Sequence, residues 1–434
     1  MIRTISRIAI AGALSIAPAL VFAQGFPDVE SEVPLPSLIG SEARAIGMGG
    51  AGLAISEDGS ALYWNPAGLA QMRRIEVSAG LTHDRSTITN TWEGGSAESD
   101  DHSTKLGSVH VAYPFPTYRG SFVIALGTDQ FRNYDLDFER RTVEGPAGGR
   151  VEKRDTITES GKLTGWSVGM AIEASPKLYL GLALFLHDGK DNIAVNQVTA
   201  DLDNANPDTA ALDDLIETEA EISGVSGNLG LLYRVNRNWR VGATVRTTTA
   251  LTFSGTQHIS EITRLDNGTE SEGVDEIPFE DTIDFPVSFG LGTSFSGGGF
   301  TLAADARYTD WSQLSFGDRP FLNRDVLKQY TDKTSLYLGA EYLVGQSPLR
   351  LRAGLTYDPV PFRLMYQTGD PVEPQFEVSV DRERKFATFG AGVLLDTVFT
   401  IDVAVQTGSF TRESALYSEE RDLTRVLVSG AYRF

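Results

Sequence analysis

The chain has 434 residues, of which 58 are Asp or Glu and 37 are Lys or Arg, and its formal net charge is −21. A surface that tracks nucleic-acid phosphates needs an excess of basic residues, so this balance argues against a nucleic-acid partner. The sequence contains no cysteine, which excludes a disulfide scaffold or a thiol enzyme and argues against a zinc module. Length alone allows about three globular domains or one large β architecture.

The N-terminus has the pattern of a secretory signal peptide. Residues 1–7 contain two arginines, residues 8–20 are almost wholly apolar, and small residues including Ala23 precede Gln24. The apolar run of about 13 residues is too short for an uncleaved anchor, which needs about 20 residues. The sequence therefore predicts export, with residues 1–23 as the signal peptide.

From Ile75 onward, apolar and polar residues alternate over segments that reach the about 9–11 residues needed to cross a bilayer at a tilt. One face of residues 178–186 is entirely leucine, and the opposite face is smaller or more polar. The same alternation occurs in residues 239–246, 349–356 and 399–406. Strands of soluble sandwiches alternate too, but they are shorter. The pattern therefore favours an all-β fold, a transmembrane β-barrel over residues 73–434.

Alternation predicts fourteen antiparallel strands, at approximately 74–84, 104–114, 119–140, 152–174, 177–199, 219–235, 238–262, 280–296, 298–316, 333–345, 347–360, 383–396, 398–411 and 421–434. Short links alternate with long polar ones, which is typical of outer-membrane barrels with short periplasmic turns and long external loops. The last strand alternates up to Phe434. This terminal aromatic resembles the signal that outer-membrane proteins present to the barrel assembly machinery.

The segment before the barrel, residues 24–72, does not alternate and is rich in glycine. Its residues Leu62, Tyr63, Trp64 and Leu69 are too apolar for a solvated tail. Wide barrels are often filled by a loop or a helix. The sequence therefore predicts an N-terminal hatch, or plug, inside the barrel lumen.

The chain at this point resembles the FadL-type family of outer-membrane long-chain fatty acid and hydrocarbon transporters. The resemblance spans nearly all of the mature chain, and it is carried by residues 43–50 (ARAIGMGG), 64–69 (WNPAGL), 308–312 (YTDWS), 352–361 (RAGLTYDPVP), 381–382 (DR) and 389–392 (FGAG). It implies a monomeric fourteen-stranded barrel in the Gram-negative outer membrane, closed by a hatch whose Asn-Pro-Ala motif is Asn65, Pro66 and Ala67.

The resemblance also implies passive uptake of hydrophobic compounds by ligand-triggered hatch movement, with lateral exit through the barrel wall. A branch of the same family carries a similar hatch but serves protein secretion. Shuttling of a cargo protein to the cell surface is therefore the alternative function, because the motifs do not separate the two branches. We expect no enzymatic activity, catalytic residue, cofactor or bound metal.

Four arginines on predicted inward faces are candidate ligands for an acidic head group, because guanidinium binds carboxylates bidentately. They are Arg240, Arg246, Arg350 and Arg352. The alternative is that they neutralise inward acids such as Asp402 and Glu173 in a polar lumen.

Two motifs match enzyme signatures without their structural context. The glycines Gly47, Gly49 and Gly50 belong to a GxGxxG match, but no predicted strand precedes it. We expect these hatch glycines to permit positive φ or close packing against the barrel wall. Residues 165–169 match GxSxG, yet Ser167 lies on a continuing strand instead of a strand-to-helix elbow, which argues against a lipid hydrolase.

Acidic residues concentrate in the predicted external loops, where solvation accounts for them. A sharper hypothesis is that divalent cations bridge some of these acids to the phosphates of lipopolysaccharide in the surrounding outer-membrane lipid. Within residues 208–221, the spacing of Ala211, Leu212, Leu215 and Ile216 predicts a short amphipathic helix at the barrel mouth.

Overall fold

The computed structural model describes residues 40, 42–92, 95–144, 147–204, 209–317, 330–361, 364–367, 376–380, 383–414 and 417–434. The predicted signal peptide, the first part of the predicted hatch (residues 24–39) and the motif Asp381-Arg382 lie outside the described residues. Among the described residues, no helix is long and apolar enough to cross a membrane.

The described residues form nineteen strands and four short helices. The strands are β1 (Glu76–Trp92), β2 (Gly95–Phe115), β3 (Phe122–Asn133), β4 (Leu136–Glu144), β5 (Val151–Ser175), β6 (Leu178–Asp201), β7 (Ala211–Arg234), β8 (Trp239–Arg246), β9 (Thr249–Arg264), β10 (Glu270–Phe285), β11 (Ser288–Gly297), β12 (Phe300–Thr309), β13 (Lys333–Leu343), β14 (Leu349–Tyr357), β15 (Leu364–Gln367), β16 (Phe376–Val380), β17 (Lys385–Leu395), β18 (Phe399–Ser414) and β19 (Tyr417–Arg433). The helices are α1 (Ala43–Gly47), α2 (Ala61–Trp64) and the 3₁₀ helices Pro66–Gln71 and Trp311–Gln313.

These strands make one antiparallel sheet that closes on itself, because β1 pairs with β2 on one side and with β19 on the other. Some crossings of the barrel wall consist of two successive strands. β3 and β4 form one crossing, because both pair with β5, and β8 and β9 form another, because both pair with β7. Likewise β10 pairs with β9 and β11 pairs with β8. With each crossing counted once, the structure is a fourteen-stranded antiparallel barrel, which confirms the predicted fold.

The leucine face of β6 points outward. Leu180, Leu184 and Leu186 are exposed, whereas Tyr179 and Phe185 on the other face are buried inside the barrel. Exposed apolar side chains continue around the outer surface on the other long strands. Such a continuous apolar belt is stable in lipid and not in water, so the barrel spans a membrane.

Six short connections lie at one end of the barrel, at residues 116–121, 176–177, 235–238, 298–299, 344–348 and 396–398. The C-terminus lies at the same end, where Phe434 N donates to Ile75 O at 2.9 Å. Exposed aromatic side chains border it, among them Phe115, Phe300 and Tyr432. Aromatic girdles mark the membrane interfaces of such barrels. We call this the short-turn end and the opposite one the long-strand end.

The strands extend further at the long-strand end than the sequence predicts. The predicted amphipathic helix in residues 208–221 is wrong, because β7 begins at Ala211 and runs between two neighbours. Leu212 pairs in register with Thr199 of β6 and with Thr263 of β9. A single helical turn is costly to nucleate, and here both neighbouring strands satisfy the backbone groups.

The predicted strand 298–316 ends earlier, at Thr309. The 3₁₀ helix Trp311–Gln313 follows, and the Asp310 carboxylate caps it by accepting from Ser312 N at 3.3 Å. The chain then turns inward, so that Leu314 and Phe316 are buried with Trp311.

Candidate functional site

Residues 42–72, the lumen segment, lie inside the barrel. Their apolar side chains are almost fully buried, including those of Leu62, Tyr63 and Trp64. The backbone of the segment is held by wall side chains from opposite parts of the sheet: Ala43 N donates to Ser429 Oγ at 3.2 Å, Gly49 N to Thr388 Oγ1 at 3.0 Å, and Leu53 N to Asp305 Oδ2 at 2.8 Å. The short-turn half of the lumen is therefore occupied by the chain itself.

The Asn65-Pro66-Ala67 motif joins α2 to the 3₁₀ helix Pro66–Gln71. Asn65 Oδ1 accepts from Ala67 N at 3.2 Å and caps that helix, with Pro66 at its first position. Its Nδ2 donates to Leu53 O at 2.8 Å and to Leu231 O of β7 at 3.1 Å. One buried amide thus ties two parts of the lumen segment to each other and to the wall.

The wall beneath this motif is made of glycines that sequence reasoning did not select. A Cβ on Gly181 would lie 2.3 Å from Pro66 C, and one on Gly230 would lie 2.2 Å from Asn65 Oδ1. Gly181 and Gly230 are paired in register on β6 and β7. Two inward glycines on adjacent crossings were the available sequence signal, but their register is fixed only by the folded sheet.

The hatch glycines lie against β13, β14 and β17. Gly49 and Gly50 have φ values of 67° and 79°, in the left-handed region that only glycine enters at little cost. A Cβ on Gly49 would lie 2.3 Å from Leu338 O, and one on Gly47 would lie 3.3 Å from the Cα of Gly390.

Glu42, in the first turn of the lumen segment, contacts a buried network on β1, β2 and β3. Ser78 Oγ donates to Glu42 Oε1 at 2.5 Å, and His110 Nδ1 lies 3.2 Å from the same oxygen. His110 Nε2 lies 3.0 Å from Asp129 Oδ1. Burial raises the pKa of Glu42 and the nearby Asp58 carboxylate adds to this, although His110 and Ser78 act in the opposite direction.

Three of the four candidate arginines are engaged by carboxylates of the chain. Arg240 lies 3.0 Å from Glu57, and Arg350 lies 3.3 Å from Glu341. Arg352 is buried and contacts Glu341 at 2.7 Å and Asp402 at 2.5 Å. These contacts match the charge-neutralising alternative for Asp402, whereas Glu173 pairs with Arg73 instead.

Arg246 has a different environment. Its Nη2 donates to Tyr63 O at 2.9 Å, and its guanidinium carbon lies 4.9 Å from the centroid of the Tyr63 ring and 5.7 Å from that of Phe131. It makes no ion pair with any carboxylate in the described part of the chain. The inward face of β8 therefore presents one cation without an acid partner there.

A second such arginine, Arg307 on β12, was not selected from the sequence. Its guanidinium carbon lies 5.0 Å from the Trp64 ring and 5.2 Å from the Tyr337 ring. No described acid forms an ion pair with it. Its alternation with the exposed Tyr308 marked it as inward, but only the fold brings it near Arg246.

Arg246 and Arg307 both line an interior cavity of about 110 Å³, the aromatic cavity, together with Tyr63, Phe131, Phe285 and Trp311. A larger, more polar cavity of about 280 Å³ lies towards the long-strand end and includes Arg132, Glu159 and Arg425 in its lining. Trp64 of the lumen segment lines both cavities. The segment therefore forms a shared wall between them.

The aromatic cavity lies behind a gap in the strand ladder. Register pairing of β8 with β11 ends at Arg246 and Ser288, and pairing of β9 with β10 resumes at Thr249 and Phe285. Pro286, which has no N–H to donate, lies in the unpaired stretch, and both Pro286 and Thr247 line the cavity. Thr247 is also exposed on the barrel exterior.

The other motifs do not assemble into reactive sites within the described ranges. Ser167 is buried on β5, and its Oγ has no hydrogen-bond partner there. No group of three or more His, Asp or Glu residues that could hold a metal occurs among the described residues.

Arg150 lies 2.6 Å from the loop residue Asp203 and holds the pKa of that carboxyl well below its usual range.

A closed barrel with an apolar outer belt, a lumen filled by its own N-terminal segment and an interior cavity defines an outer-membrane transport barrel. The chain matches the model of the outer membrane protein transport protein family (OMPP1/FadL/TodX) over residues 37–433. It belongs to that family, which confirms the resemblance seen in the sequence, and it is a protein of the Gram-negative outer membrane.

Individual relatives are distant. The chain is 23% identical to alkane uptake protein A of Marinobacter nauticus over 338 residues, which cover 71% of this chain and 69% of the relative. It shares its fold with the toluene transporter TodX of P. putida at a TM-score of 0.64, 17% identity and 92% and 99% coverage of the two chains. A FadL homologue of Pseudomonas aeruginosa gives a TM-score of 0.61 at 14% identity, with coverages of 91% and 98%.

Proposed function

We propose that this protein carries hydrophobic compounds with an acidic head group, long-chain fatty acids foremost, across the outer membrane by passive diffusion and without a catalytic step. The observation that supports this is the pair Arg246 and Arg307 in the aromatic cavity, each stacked on rings and neither paired with a described acid. The relatives named for alkane uptake and toluene transport favour import over the alternative of protein secretion.

The chemistry of the cavity fits an amphiphilic anion. Arg246 and Arg307 are half-buried. A guanidinium taken partly out of water without a close ion pair is costly, and a carboxylate would restore both its charge balance and its hydrogen bonds. The surrounding rings of Tyr63, Phe131 and Phe285 offer apolar surface to the first methylene groups. Arg246 is therefore the head-group ligand we favour among the four candidates, with Arg307 beside it.

The cavity of about 110 Å³ is smaller than the about 300–1,000 Å³ of typical ligand sites. Tyr63 and Trp64 belong to the lumen segment, so displacement of this segment enlarges the cavity. We therefore retain the role of a movable hatch for residues 42–72, with Asn65, Pro66 and Ala67 as its attachment point. The ligand then leaves sideways through the ladder gap beside Thr247 and Pro286.

Uptake of radiolabelled oleate by a deletion strain, with and without this gene, tests the proposed function. Arg246→Gln is expected to lower oleate uptake at least about tenfold and to leave toluene and alkane uptake near the wild-type level. Arg240→Gln, whose partner is Glu57, is the matched control and keeps oleate uptake. If the gene supports uptake of none of these compounds, import is wrong; if Arg246→Gln affects all equally, the head-group role is wrong.

The exit path has its own test, because the chain contains no cysteine. A single Thr247→Cys variant labelled with a bulky maleimide should lose most of its oleate uptake, since the adduct blocks the ladder gap. Ser347→Cys, in an exposed turn at the short-turn end, provides the labelled control. Full uptake by labelled Thr247→Cys would place the exit elsewhere.

A further inference from the structure

The outer face of the barrel carries an apolar groove of about 550 Å³ that runs across β2, β3, β5, β6 and β7. Its walls include Leu126, Trp166, Leu186 and Val225, and these four side chains are 57–60% exposed. The next outward positions towards the long-strand end are polar: Thr164, Asp188 and Ser223. The groove therefore opens at the edge of the apolar belt nearest the long-strand end, where the lipid acyl chains meet the head groups.

Two lysines stand directly beyond the groove. Lys162 of β5 and Lys190 of β6 are register partners, both exposed on the outer face. They lie four residues, about 13 Å along the strand, past the Trp166 and Leu186 pair. Like charges directly opposite on adjacent strands repel each other, so this pair needs an anion to be favourable.

The acidic side chains of the protein contribute little negative charge to this lysine pair. Lys190 lies 3.3 Å from Glu221, but the two side chains are 70% and 75% exposed, and such surface pairs contribute little. Lys162 has no ion pair within the described residues. By contrast, the outward Arg85 is bound bidentately by Asp100, at 2.9 and 2.8 Å. Lys162 is thus an exposed cation without a described acid partner, and the exposed Lys190–Glu221 pair is weak enough for Lys190 to exchange Glu221 for an external anion.

We propose that this surface binds one phosphorylated lipid of the outer leaflet, with an acyl chain in the groove and its phosphate between Lys162 and Lys190. An apolar groove that ends at two cations complements the two parts of such a lipid, and Trp166 stands at the interface that indole rings prefer. Outward acids at a similar height on β7 and β10, including Glu217, Glu219 and Glu280, repel a phosphate there. The site does not depend on which compound the barrel transports.

Native mass spectrometry of the full-length protein in detergent, with added diphosphorylated lipid A and EDTA, tests the proposal. The wild type should retain one lipid, and the double variant Lys162→Gln/Lys190→Gln should retain at least about tenfold less. Arg85→Gln removes an outward cation that already has an acid partner and should bind as the wild type does. Leu184→Ala, in the groove, should weaken binding a few-fold.

Lipid with the same acyl chains but no phosphate should bind the wild type at least about tenfold more weakly. Heat-modifiable electrophoresis checks that each variant is a folded barrel. Equal retention by the wild type and the lysine variant overturns the proposal. So does retention that appears only when Mg²⁺ replaces EDTA, which would assign binding to bridged acids, or displacement of the lipid by equimolar inorganic phosphate.

Discussion

Asn65 shows how a single buried amide can hold the lumen segment in place. It uses both its oxygen and its nitrogen, towards Ala67 N, Leu53 O and Leu231 O. Asn65→Ala leaves these groups without partners, at a cost of about 1–3 kcal/mol. We expect amide hydrogen exchange in residues 53–69 to become about one to two orders of magnitude faster, while the barrel strands keep their protection.

The control for this prediction is Arg74→Ala, since Arg74 is exposed and its side chain donates to Thr397 O in a short turn, so its removal should leave exchange in residues 53–69 unchanged. If Asn65→Ala exchanged like the wild type, the amide would not be an attachment point. If the strands lost protection together with residues 53–69, the amide would serve the barrel as a whole and not the segment.

The sequence predicts which face of a strand an arginine lies on, but not which side chain it contacts. Alternation placed Arg240, Arg246, Arg350 and Arg352 on inward faces, but it carries no information about partners. Glu57 reaches Arg240 from the lumen segment, whose path inside the barrel has no periodic signature. Whether an arginine is engaged or free for a ligand is therefore decided by contacts between residues distant in sequence.

At the scale of elements, the lumen segment packs closely against the barrel wall because both surfaces carry glycines, which have no side chain, where they meet. Gly49→Ala adds a Cβ that would lie 2.3 Å from Leu338 O in a residue with φ of 67°. We expect the lumen segment to lose more than about 2 kcal/mol of local stability, because a positive φ alone costs about 1–2 kcal/mol and the clash adds to it. Hydrogen exchange of residues 43–55 measures this loss.

Gly345→Ala is the control for a strained positive φ outside the lumen segment. Gly345 has φ of 57° in an open turn, with nothing within 4 Å of an added Cβ, so it should suffer the backbone cost alone and leave the lumen segment protected. Equal exchange of residues 43–55 in both variants would show that Gly49 stabilises the lumen segment neither through its conformation nor through its contact with β13.

The strands themselves were predictable where one face meets lipid and the other meets the lumen, because that difference in environment imposes a period of two. Beyond the apolar belt the environment is aqueous on the outside, and the pattern fades. This is why the spacing in residues 208–221 predicts a helix where the structure has the long-strand extension of β7 from Ala211. The breaks beside Tyr134, Thr247 and Pro286 are likewise local departures from pairing that alternation does not encode.

For the whole molecule, the net charge of −21 divides into two populations. Within the lumen, acids such as Glu57, Glu341 and Asp402 are neutralised by arginines. Others, such as Asp100 and Asp203, lie on the outside or at the long-strand end, where solvent accommodates them. A membrane barrel can therefore be strongly acidic without charging its apolar belt, and the lysine pair Lys162 and Lys190 stands out against that background.

Closure of the barrel joins β1 to β19, and Phe434 lies at the end of that seam. Its side chain is 67% exposed, so it contributes little to the stability of the folded barrel, and the 4.9 Å contact with the Tyr432 ring is its main interaction. If the terminal aromatic acts as an assembly signal, Phe434→Ala should reduce the folded barrel in outer membranes several-fold. The same variant should refold in detergent as the wild type does.

Phe389→Ala is the matched control, because Phe389 is 61% exposed on the outward face of β17 but is not terminal. It should leave the amount of membrane-inserted barrel unchanged, as read from heat-modifiable mobility on gels. An equal loss in both variants would point to a general need for aromatic side chains in the belt. A loss of refolding in detergent by Phe434→Ala alone would make the residue a structural part of the seam, and no recognition step would then be needed to explain its effect.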